Sequence, residues 1–471
     1  MERKYIVKSF KCMPKFIPEL DPGFMPIALQ NKEYRKALES VDEKVNVKVA
    51  IVGPKGFVST TEFQVFPQSE DTSEDNISYV ERLIKSLIWV KGGYKVVFAG
   101  PEYIGDYLKK AYTIGGERNF DVEFMTGVYE REFKIEITDY DNVPDSKEQF
   151  KKIGRNFEGY RIGFDAGGSD RKVSAVVDGE AIYSEEVVWH PKITKDPEYH
   201  YQGILDSIKR AAEKMPRVDA LGISAAGIYI DNQVRAASLF RVVSKEDFEN
   251  KVKNIFYDVA ANIGDVPIEV ANDGDVTALA GAMSFNENCI LGIAMGTSEA
   301  VGYIDENGNI TGWLNELAFV PVDYSEDAII DEWSLDRGVG VSYFSQDAVI
   351  KLSPNAGIDL DESLSPAEKL KVVQMLIEKD DAKAKKIYES IGIYLGYSLA
   401  YYSDFYDINK VLLLGRVVSG KGGDILIKKA NEVLKEEFRE LYDKIELVTP
   451  DEKMKRVGQS IAAASLPNIS K

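Results

Sequence analysis

The order of strands and turns after residue 160 constrains the fold of this chain more than any other feature. Residues 161–177 predict two strands joined by a turn at Gly167 and Gly168, and residues 289–304 predict two strands joined at Gly296. Alternating helices and strands follow each pair in the same order, although the residues themselves are not repeated. This duplicated order predicts an α/β protein with two lobes, one phosphate-binding hairpin in each lobe, and a cleft between them.

The first 150 residues follow a different pattern, in which strands and helices alternate without a repeated glycine turn. Strands are predicted at 46–53 and 57–66, and the alternation over 122–138 predicts a hairpin. A charged stretch that contains a proline, at 139–152, marks a boundary. We therefore expect an extra N-terminal α/β domain at 1–155.

The other domain boundaries follow from the repeat. Residues 156–285 are predicted to form the first lobe together with residues 455–471, which include a final helix near 455–466. Residues 286–454 are predicted to form the second lobe. A tight turn after residue 305 predicts a third strand of that lobe at 310–314.

Composition and charge argue against several classes of protein. Lys and Arg total 58 against 77 Asp and Glu, and the net charge of −19 opposes binding to a nucleic-acid backbone. The apolar stretches are far shorter than the roughly twenty residues of a bilayer-spanning helix, and the first residues do not resemble a signal peptide. Cys12 and Cys289 stand alone, outside any paired-cysteine motif. We expect a cytoplasmic protein that binds neither nucleic acid nor membranes.

The first candidate motif surrounds the glycine turn at the end of the first strand. Gly167 and Gly168 allow backbone N–H groups to approach phosphate oxygens, and Asp165 can hold Mg²⁺ through water. Ser169 and Lys172 can add further donors. A Gly-Gly turn beside an aspartate is also a common β-turn without any ligand.

Two further loops have the composition of a nucleotide site. Gly296, Thr297 and Ser298 form the matching turn of the second lobe and suit the other side of a triphosphate. Gly415 and Gly420 lie in a glycine-rich loop after a buried strand, which leaves space for a base or a ribose. Each loop also has a simple structural explanation, as a β-turn or as the entry to a helix.

The fourth candidate motif contains two aspartates at the end of an apolar strand. Asp273 lies where α/β folds place reacting groups, and Asn272 can orient a hydroxyl beside it. A helix follows, so one acid can instead be its N-cap. We predict that Asp275 or Gly274 caps the helix and that Asp273 is the general base.

With these motifs in order, the chain from about residue 161 resembles the ROK group of sugar kinases and regulators, within the actin, sugar kinase and Hsp70 superfamily. Five motifs in the family's order carry the resemblance: DAGGSDRK at 165–172, GISAAGI at 222–228, EVANDGDVTALAG at 269–281, GIAMGTSEAVGYI at 292–304 and VLLLGRVVSG at 411–420.

The resemblance implies a duplicated actin-like ATPase (ribonuclease H-like) fold that binds ATP and Mg²⁺ in its cleft. It assigns the base that deprotonates the sugar hydroxyl to Asp273, and substrate contacts to Asn272, Gly227 and Glu316. It also implies a nucleotide-binding set that consists of Asp165, Gly167, Gly168, Ser169, Lys172, Gly296, Thr297, Ser298, Gly415 and Gly420.

The sequence departs from the family pattern at several positions. Where these kinases usually have Gly-Glu-x-Gly-His, residues 315–319 read NELAF, which keeps Glu316 but lacks the glycine and the histidine. Glucose itself is therefore in doubt as a substrate. The cysteine-rich zinc loop is absent and no zinc is expected, Arg416 replaces a usual glycine, and His190 and His200 are predicted to be isolated surface histidines.

Several functions are compatible with this pattern. The first is ATP-dependent phosphorylation of a hydroxyl on a small sugar-like substrate. The second is a non-catalytic protein that senses a sugar or a nucleotide, suggested by the altered region around Glu316. An ATPase activator of the same superfamily normally needs a shared metal cluster, which two isolated cysteines do not provide. The N-terminal domain lacks a helix-turn-helix pattern, and it can serve either in a homo-oligomer or as a lid over the substrate.

Overall fold

The computed structural model describes residues 13–148, 153–450 and 458–469. Cys12, the end of the charged boundary stretch at 149–152 and the first residues of the predicted final helix, 455–457, lie outside the described residues. No helix within the described ranges is long and apolar enough to cross a lipid bilayer.

Residues 13–148, called the N-terminal segment below, contain a sheet and four helices. The strands are β1 (Val45–Val52), β2 (Val58–Val65), β3 (Lys95–Ala99) and β4 (Lys134–Ile137). The helices are α1 (Ile27–Glu39), α2 (Ser73–Lys91), α3 (Glu102–Ala111) and α4 (Asn119–Tyr129). The sheet has the order β2-β1-β3-β4, in which β1 is antiparallel to both neighbours and β3 is parallel to β4.

The predicted hairpin at 122–138 is wrong over its first half, where the chain forms α4. The buried residues of α4 recur at helical spacing: Asp121, Val122, Met125 and Val128. This face packs on α2, where the ring of Phe124 lies 5.0 Å from that of Trp89. The packing of these apolar residues against α2 therefore stabilises a helix rather than a strand at Asn119–Tyr129.

The first lobe contains a five-stranded sheet of order β11-β8-β5-β6-β7. Its strands are β5 (Tyr160–Ala166), β6 (Asp170–Val177), β7 (Glu180–Val188), β8 (Ala220–Ala225) and β11 (Ile268–Asn272). A separate hairpin is made of β9 (Ile228–Ile230) and β10 (Gln233–Ala236). Strands β5, β8 and β11 are parallel, so their carboxyl ends meet at one edge of the sheet.

The helices of the first lobe are α5 (Pro197–Ala212), α6 (Lys245–Asp247), α7 (Ile255–Ala261), α8 (Asp273–Phe285) and α14 (Gln459–Ala464). Short helix α14 packs directly on β5 and β8. It approaches so closely that a Cβ at Gly163 or Gly222 would overlap the backbone of Ser460 or Ala463. Glycine is therefore required in both strands, because only glycine leaves room for this contact.

The second lobe contains a four-stranded sheet of order β13-β12-β14-β15. Its strands are β12 (Ile290–Met295), β13 (Glu299–Ile304), β14 (Lys410–Leu414) and β15 (Glu446–Val448). Its helices are α9 (Gln346–Asn355), α10 (Pro366–Glu378), α11 (Ala382–Tyr402), α12 (Lys421–Glu437) and α13 (Arg439–Lys444). The capping box at Ser365 and Glu368 opens α10, as the sequence predicts.

The predicted third strand at 310–314 is wrong, since only a single bridge between Ile304 and Ile310 forms there. The following residues pair elsewhere. The backbone N–H groups of Leu314, Asn315 and Glu316 donate hydrogen bonds of 3.3, 3.1 and 3.0 Å to carbonyl oxygens in the last turn of α2. These carbonyls have no partner within their own helix, so the N-terminal segment takes the place of a sheet neighbour.

The N-terminal segment and the second lobe share one hydrophobic core, whereas the first lobe has its own. A buried charge network joins the same two parts. Asp336 of the second lobe forms ion pairs with Arg82 (3.1 Å), Lys85 (3.2 Å) and Arg118 (2.8 Å), and Glu81 pairs with both arginines. All five side chains are at most 3% exposed. The N-terminal segment is therefore fixed to the second lobe.

Candidate active site

Asp165 is buried at the carboxyl end of β5, beside the end of β8. The hydroxyl of Ser224 donates a 2.8 Å hydrogen bond to Oδ1 of Asp165, and Gln459 of α14 donates to the same hydroxyl at 3.1 Å. Burial raises the pKa of Asp165 to about 7, the bond from Ser224 opposes that rise, and repulsion from Asp273 adds to it. A cation bound here would favour the ionised carboxylate.

The first glycine turn is held from outside by Trp189. The indole Nε1–H donates to the carbonyl oxygen of Gly167 at 2.8 Å, and the backbone N–H of Trp189 donates to that of Ser169 at 3.1 Å. The hydroxyl of Ser169 donates to Asp170, and Lys172 lies 3.6 Å from the same carboxylate. The turn is thus held in place by hydrogen bonds from Trp189 to two of its carbonyl oxygens.

Asn272 caps helix α8, which corrects the prediction that Asp275 or Gly274 does so. Its Oδ1 accepts a 2.7 Å hydrogen bond from the N–H of Gly274, and its Nδ2 donates to the carbonyl oxygen of Gly227 at 2.7 Å. Gly227 has a φ of 136° and lies against Ala236, where a side chain would collide. Asn272 and Gly227 together therefore fix the strand end from which the next residue projects.

Asp273 is the first residue of α8 and lies at the carboxyl end of β11. The N–H of Gly274 donates a 3.0 Å hydrogen bond to its Oδ1, and Gln459 donates to its carbonyl oxygen at 3.3 Å. Burial raises the pKa of Asp273, while the N–H groups at the helix start and the positive charge of Lys192 oppose the rise. Asp273 and Asp165 are close enough to repel each other.

Asp275 does not cap α8. Its side chain instead accepts hydrogen bonds from residues of the second lobe. Its Oδ1 accepts a 3.3 Å hydrogen bond from the backbone N–H of Tyr303 and a 3.1 Å bond from the Asn315 amide. Tyr406 in turn donates to the Asn315 carbonyl oxygen at 3.0 Å. The two aspartates of the motif therefore have different roles, and Asp275 holds the residue that precedes Glu316.

Glu316 is buried near Asp273 and near a second acid, Glu299. Burial raises the pKa of Glu316 to about 7, and repulsion from Asp273 and Asp275 adds to this shift. Burial also raises the pKa of Glu299 well above its usual range, with a contribution from Glu316. Neither carboxyl oxygen of Glu299 has a hydrogen-bond partner in the described part of the chain. The local charge balance favours protonated side chains here.

The second glycine turn and the loop after β14 lie next to each other. The N–H of Gly296 donates to the carbonyl oxygen of Ser298 at 3.0 Å, and the hydroxyl side chains of Thr297 and Ser298 are exposed. Gly415 has a φ of 91° and lies against the backbone of Met295, so that a Cβ there would collide. Glycine is required at 415 for both reasons.

A cavity of about 600 Å³ opens beside these loops and has the size of a small-molecule site. Its lining comes from both lobes and includes Lys172, Thr277, Leu414, Gly415, Arg416, Ser419, Gly420 and Gln459. Lys172, on the strand that follows the first glycine turn, lies on one side of the cavity, and Gly415 and Gly420 form part of its wall. The cavity therefore has the volume and the glycine-containing wall that suit a small molecule such as a nucleoside.

Sequence reasoning missed Ser224, Trp189, Gln459 and Lys192. Lys192 lies against Gly168, where an added Cβ would be 2.6 Å from its Cε atom. All four act through long-range contacts, so only the position of Ser224 at a strand end gave a local signal. In the described residues no group of three or more His, Cys, Asp or Glu side chains has the geometry of a metal site.

The two histidines differ from each other, contrary to the prediction. His190 is exposed, as expected, whereas His200 is fully buried. The ring of His200 lies within hydrogen-bond distance of the carbonyl oxygens of Asp196, Pro191 and Leu239. His200 therefore packs the base of the loop that holds Lys192 and has no place in the cleft.

The N-terminal segment also reaches the first lobe. Glu130, just after α4, pairs with Arg235 and Lys253, and Lys55 pairs with Asp231 at the tip of the β9–β10 hairpin. These contacts are much more exposed than the network around Asp336, since the side chain of Glu130 is 46% exposed. The segment thus contacts both lobes, and its contacts with the first lobe are weak ion pairs.

Comparison with solved structures identifies the architecture. A ROK hexokinase from Thermus thermophilus superposes with a TM-score of 0.51 at 16% identity, over 65% of this chain and 97% of that one. A ROK family transcriptional regulator, a homolog of the E. coli MLC protein, superposes with a TM-score of 0.50 at 16% identity, over 66% of this chain and 78% of that one. A ROK family glucokinase from Streptomyces griseus, solved with glucose and AMPPNP, has a TM-score of 0.48 at 20% identity, over 66% of this chain and 99% of that one.

No family model matches the sequence, and no curated protein matches it. At identities of 20% or below, the structural matches show the fold alone. They confirm the predicted two-lobed fold, whereas the N-terminal domain at 1–155 lacks such a test. The chain has the duplicated actin-like ATPase fold of the ROK family proteins.

Proposed function

We propose that this chain is a ROK-type carbohydrate kinase, which transfers a phosphoryl group from ATP to a hydroxyl of a sugar or sugar-like molecule. The observation that carries this proposal is the position of Asp273. It lies at the start of α8, close to Asp165, and Gln459, which donates to its carbonyl oxygen, lines the nucleotide-sized cavity. A carboxylate at this edge of a parallel sheet is well placed for reaction chemistry.

Asp273 would accept the proton of the attacking hydroxyl. Its raised pKa increases its proton affinity relative to an exposed aspartate, which suits a general base. Because Asn272 and Gly274 hold the strand end and the helix start, the carboxylate is fixed before substrate arrives. Preorganisation of this kind is the main contribution of a protein to phosphoryl transfer.

Asp165 would hold Mg²⁺ through water, and the backbone N–H groups of the turns at Gly168 and Gly296 would bind phosphate oxygens. The hydrogen bond from Ser224 orients the Asp165 carboxylate, and Gln459 links this pair to Asp273. Bound Mg²⁺ supplies charge neutralisation on the phosphates. Gly415 and Gly420 would leave space for the adenosine.

Glu316 would bind substrate hydroxyls on the other side of Asp273. Near neutral pH its carboxyl group can donate as well as accept a hydrogen bond, because its pKa lies at about 7. The N-terminal segment, through the last turn of α2, would fix the position of this residue. We also propose a cytoplasmic location, where ATP is available and the buried thiol of Cys289 stays reduced.

A screen of ADP release over polyols, hexoses, amino sugars and sugar acids tests the proposal. We expect release that depends on one class of these substrates and on Mg²⁺. The altered segment around Glu316, which lacks an imidazole partner, motivates one rival: a sensor that binds a sugar without turnover. Tight binding of a sugar by calorimetry without ADP release across the panel would favour this rival and contradict the kinase.

A further inference from the structure

Lys192 is placed as a cation against the first phosphate turn. It lies in the short helical turn Pro191–Ile193, after Trp189, and its Cε and Nζ atoms would be 2.6 and 2.7 Å from a Cβ added to Gly168. Lys192 is partly buried, and its ammonium group has no hydrogen bond or ion pair within the described ranges. An ammonium group without a partner in such a position is suited to an anion that is not part of the chain.

Two further cations, Arg241 and Arg416, lie near Lys192. The Arg241 Nε–H donates a 3.2 Å hydrogen bond to the carbonyl oxygen of Lys192, and Arg416 of the second lobe is close enough for its charge to repel that of Lys192. Burial lowers the pKa of Lys192, repulsion from Arg241 and Arg416 lowers it further, and Asp273 partly opposes these effects. Neither arginine forms a salt bridge with any described residue. This concentration of positive charge occurs in a chain of net charge −19.

The positions of these cations favour a phosphate chain over an anionic sugar. Lys192 contacts Gly168, in the first turn, and Arg416 lines the nucleotide-sized cavity between Gly415 and Gly420. The proposed sugar side of Asp273 carries the acid Glu316, which would repel an anionic substrate when ionised. A triphosphate lying between the two lobes would meet both cations.

We propose that Lys192 and Arg416 bind the β- and γ-phosphate oxygens of the nucleotide, one from each lobe. This inference rests on the proposed function and adds two residues that act on the phosphate chain. Arg241, whose guanidinium donates to the Lys192 backbone, serves as a positioning residue. Because the two contacts come from opposite lobes, binding of the phosphates would also draw the lobes together.

Calorimetry with Mg²⁺ and either ATP or AMP tests the inference without any sugar. The variants are Lys192→Ala, Arg416→Ala and Lys192→Arg, with Lys195→Ala as the matched control, since Lys195 is an exposed lysine on the same loop. We expect ATP affinity to fall roughly tenfold or more in both alanine variants, the scale of a charge-assisted hydrogen bond. AMP affinity should stay within about twofold, because AMP lacks the β- and γ-phosphates.

Lys195→Ala should bind ATP like the unmodified chain, and Lys192→Arg should retain most of the affinity. Equal ATP affinity in Lys192→Ala, or an equal loss for AMP and ATP, would overturn the inference. In the separate ADP-release assay, a raised sugar KM in Lys192→Ala together with unchanged ATP affinity would overturn it as well, and would assign the cations to an anionic substrate. If the unmodified chain binds no ATP, the proposed function itself fails.

Discussion

The backbone N–H of Glu316 donates a 3.0 Å hydrogen bond to the carbonyl oxygen of Trp89, at the end of α2. This bond joins a residue proposed to bind the substrate to the N-terminal segment. That segment lies outside the two-lobed fold. The rings of Trp89 and Phe319 reinforce the contact, with centroids 4.4 Å apart. The N-terminal segment therefore contacts the residue proposed to bind the substrate.

The first prediction concerns Gly92, at the end of α2, where φ is 77° and a Cβ would meet the Tyr129 hydroxyl and Leu314. Gly92→Ala should displace the segment that leads to Glu316, and therefore raise the KM for the sugar several-fold. ATP affinity should not change. The control is Gly115→Ala, which has a similar φ of 74° but open space around it. Both variants carry roughly 1 kcal/mol of backbone strain, so an equal KM in both would contradict the prediction.

The second prediction is a pH dependence of stability that comes from Glu316. Its folded-state pKa of about 7 exceeds its usual 4.5, so the folded state holds this proton more tightly than the unfolded state. Stability from this group is therefore present below pH 4.5 and is lost as pH rises to about 7. Glu316→Gln cannot ionise at this position and therefore does not lose this stability as pH rises. The variant should gain about 1–3 kcal/mol relative to the unmodified chain across that window.

Thermal melts between pH 4 and pH 8 measure this difference. The exposed Glu306 provides the control, since Glu306→Gln should track the unmodified chain at every pH. A constant difference between Glu316→Gln and the unmodified chain, at all pH values, would show that ionisation of Glu316 costs no folding energy.

The third prediction concerns the buried network around Asp336. Asp336→Asn removes the charge that Arg82, Lys85 and Arg118 share, and leaves these three buried cations with Glu81 and Asp121 as their buried acidic partners. Loss of a buried partner of this kind costs about 3–5 kcal/mol of unfolding free energy. Asp404→Asn breaks an exposed pair with Arg35 and should cost less than about 1 kcal/mol. Similar values from urea denaturation for both variants would contradict the role given to the network.

The fourth prediction concerns the exposed ion pairs that join the N-terminal segment to the first lobe. Glu130→Lys should repel Arg235 and Lys253, raise the sugar KM a few-fold, and leave folding stability nearly unchanged. Combining Glu130→Lys with Arg235→Glu should recover part of the loss. The effect should weaken above about 0.5 M salt, where charges are screened. A sugar KM that is the same in Glu130→Lys and in the unmodified chain, at low and at high salt, would show that these ion pairs do not affect substrate binding.

Local sequence patterns predicted the parts of this fold that depend on local structure. The glycine turns at Gly167 and Gly296 and the strand end at Asp273 were predicted because turn chemistry and strand alternation lie within a few residues. The structure brings Asp273 close to both Asp165 and Glu316. Their roles in catalysis remain predictions.

The errors share a different physical cause. Helix α4 replaces a predicted strand because its buried face packs on α2, and residues 314–316 pair with helix carbonyls rather than with a sheet. Asn272 caps α8 because Gly227 fixes its amide from 45 residues away. Lys192 meets Gly168 across the hairpin that ends in Trp189. Long-range contacts decide each case, and no local window of sequence contains them.

The central claim is that Asp273 is the general base of a phosphoryl transfer. The measurement that tests it most directly is sugar-dependent ADP release by Asp273→Asn, compared with ATP binding by the same variant. We predict that kcat falls by roughly 10²–10⁴ while ATP affinity stays within a few-fold, because proton removal is lost and the nucleotide contacts remain. Near-normal sugar-dependent ADP release by Asp273→Asn would contradict the account.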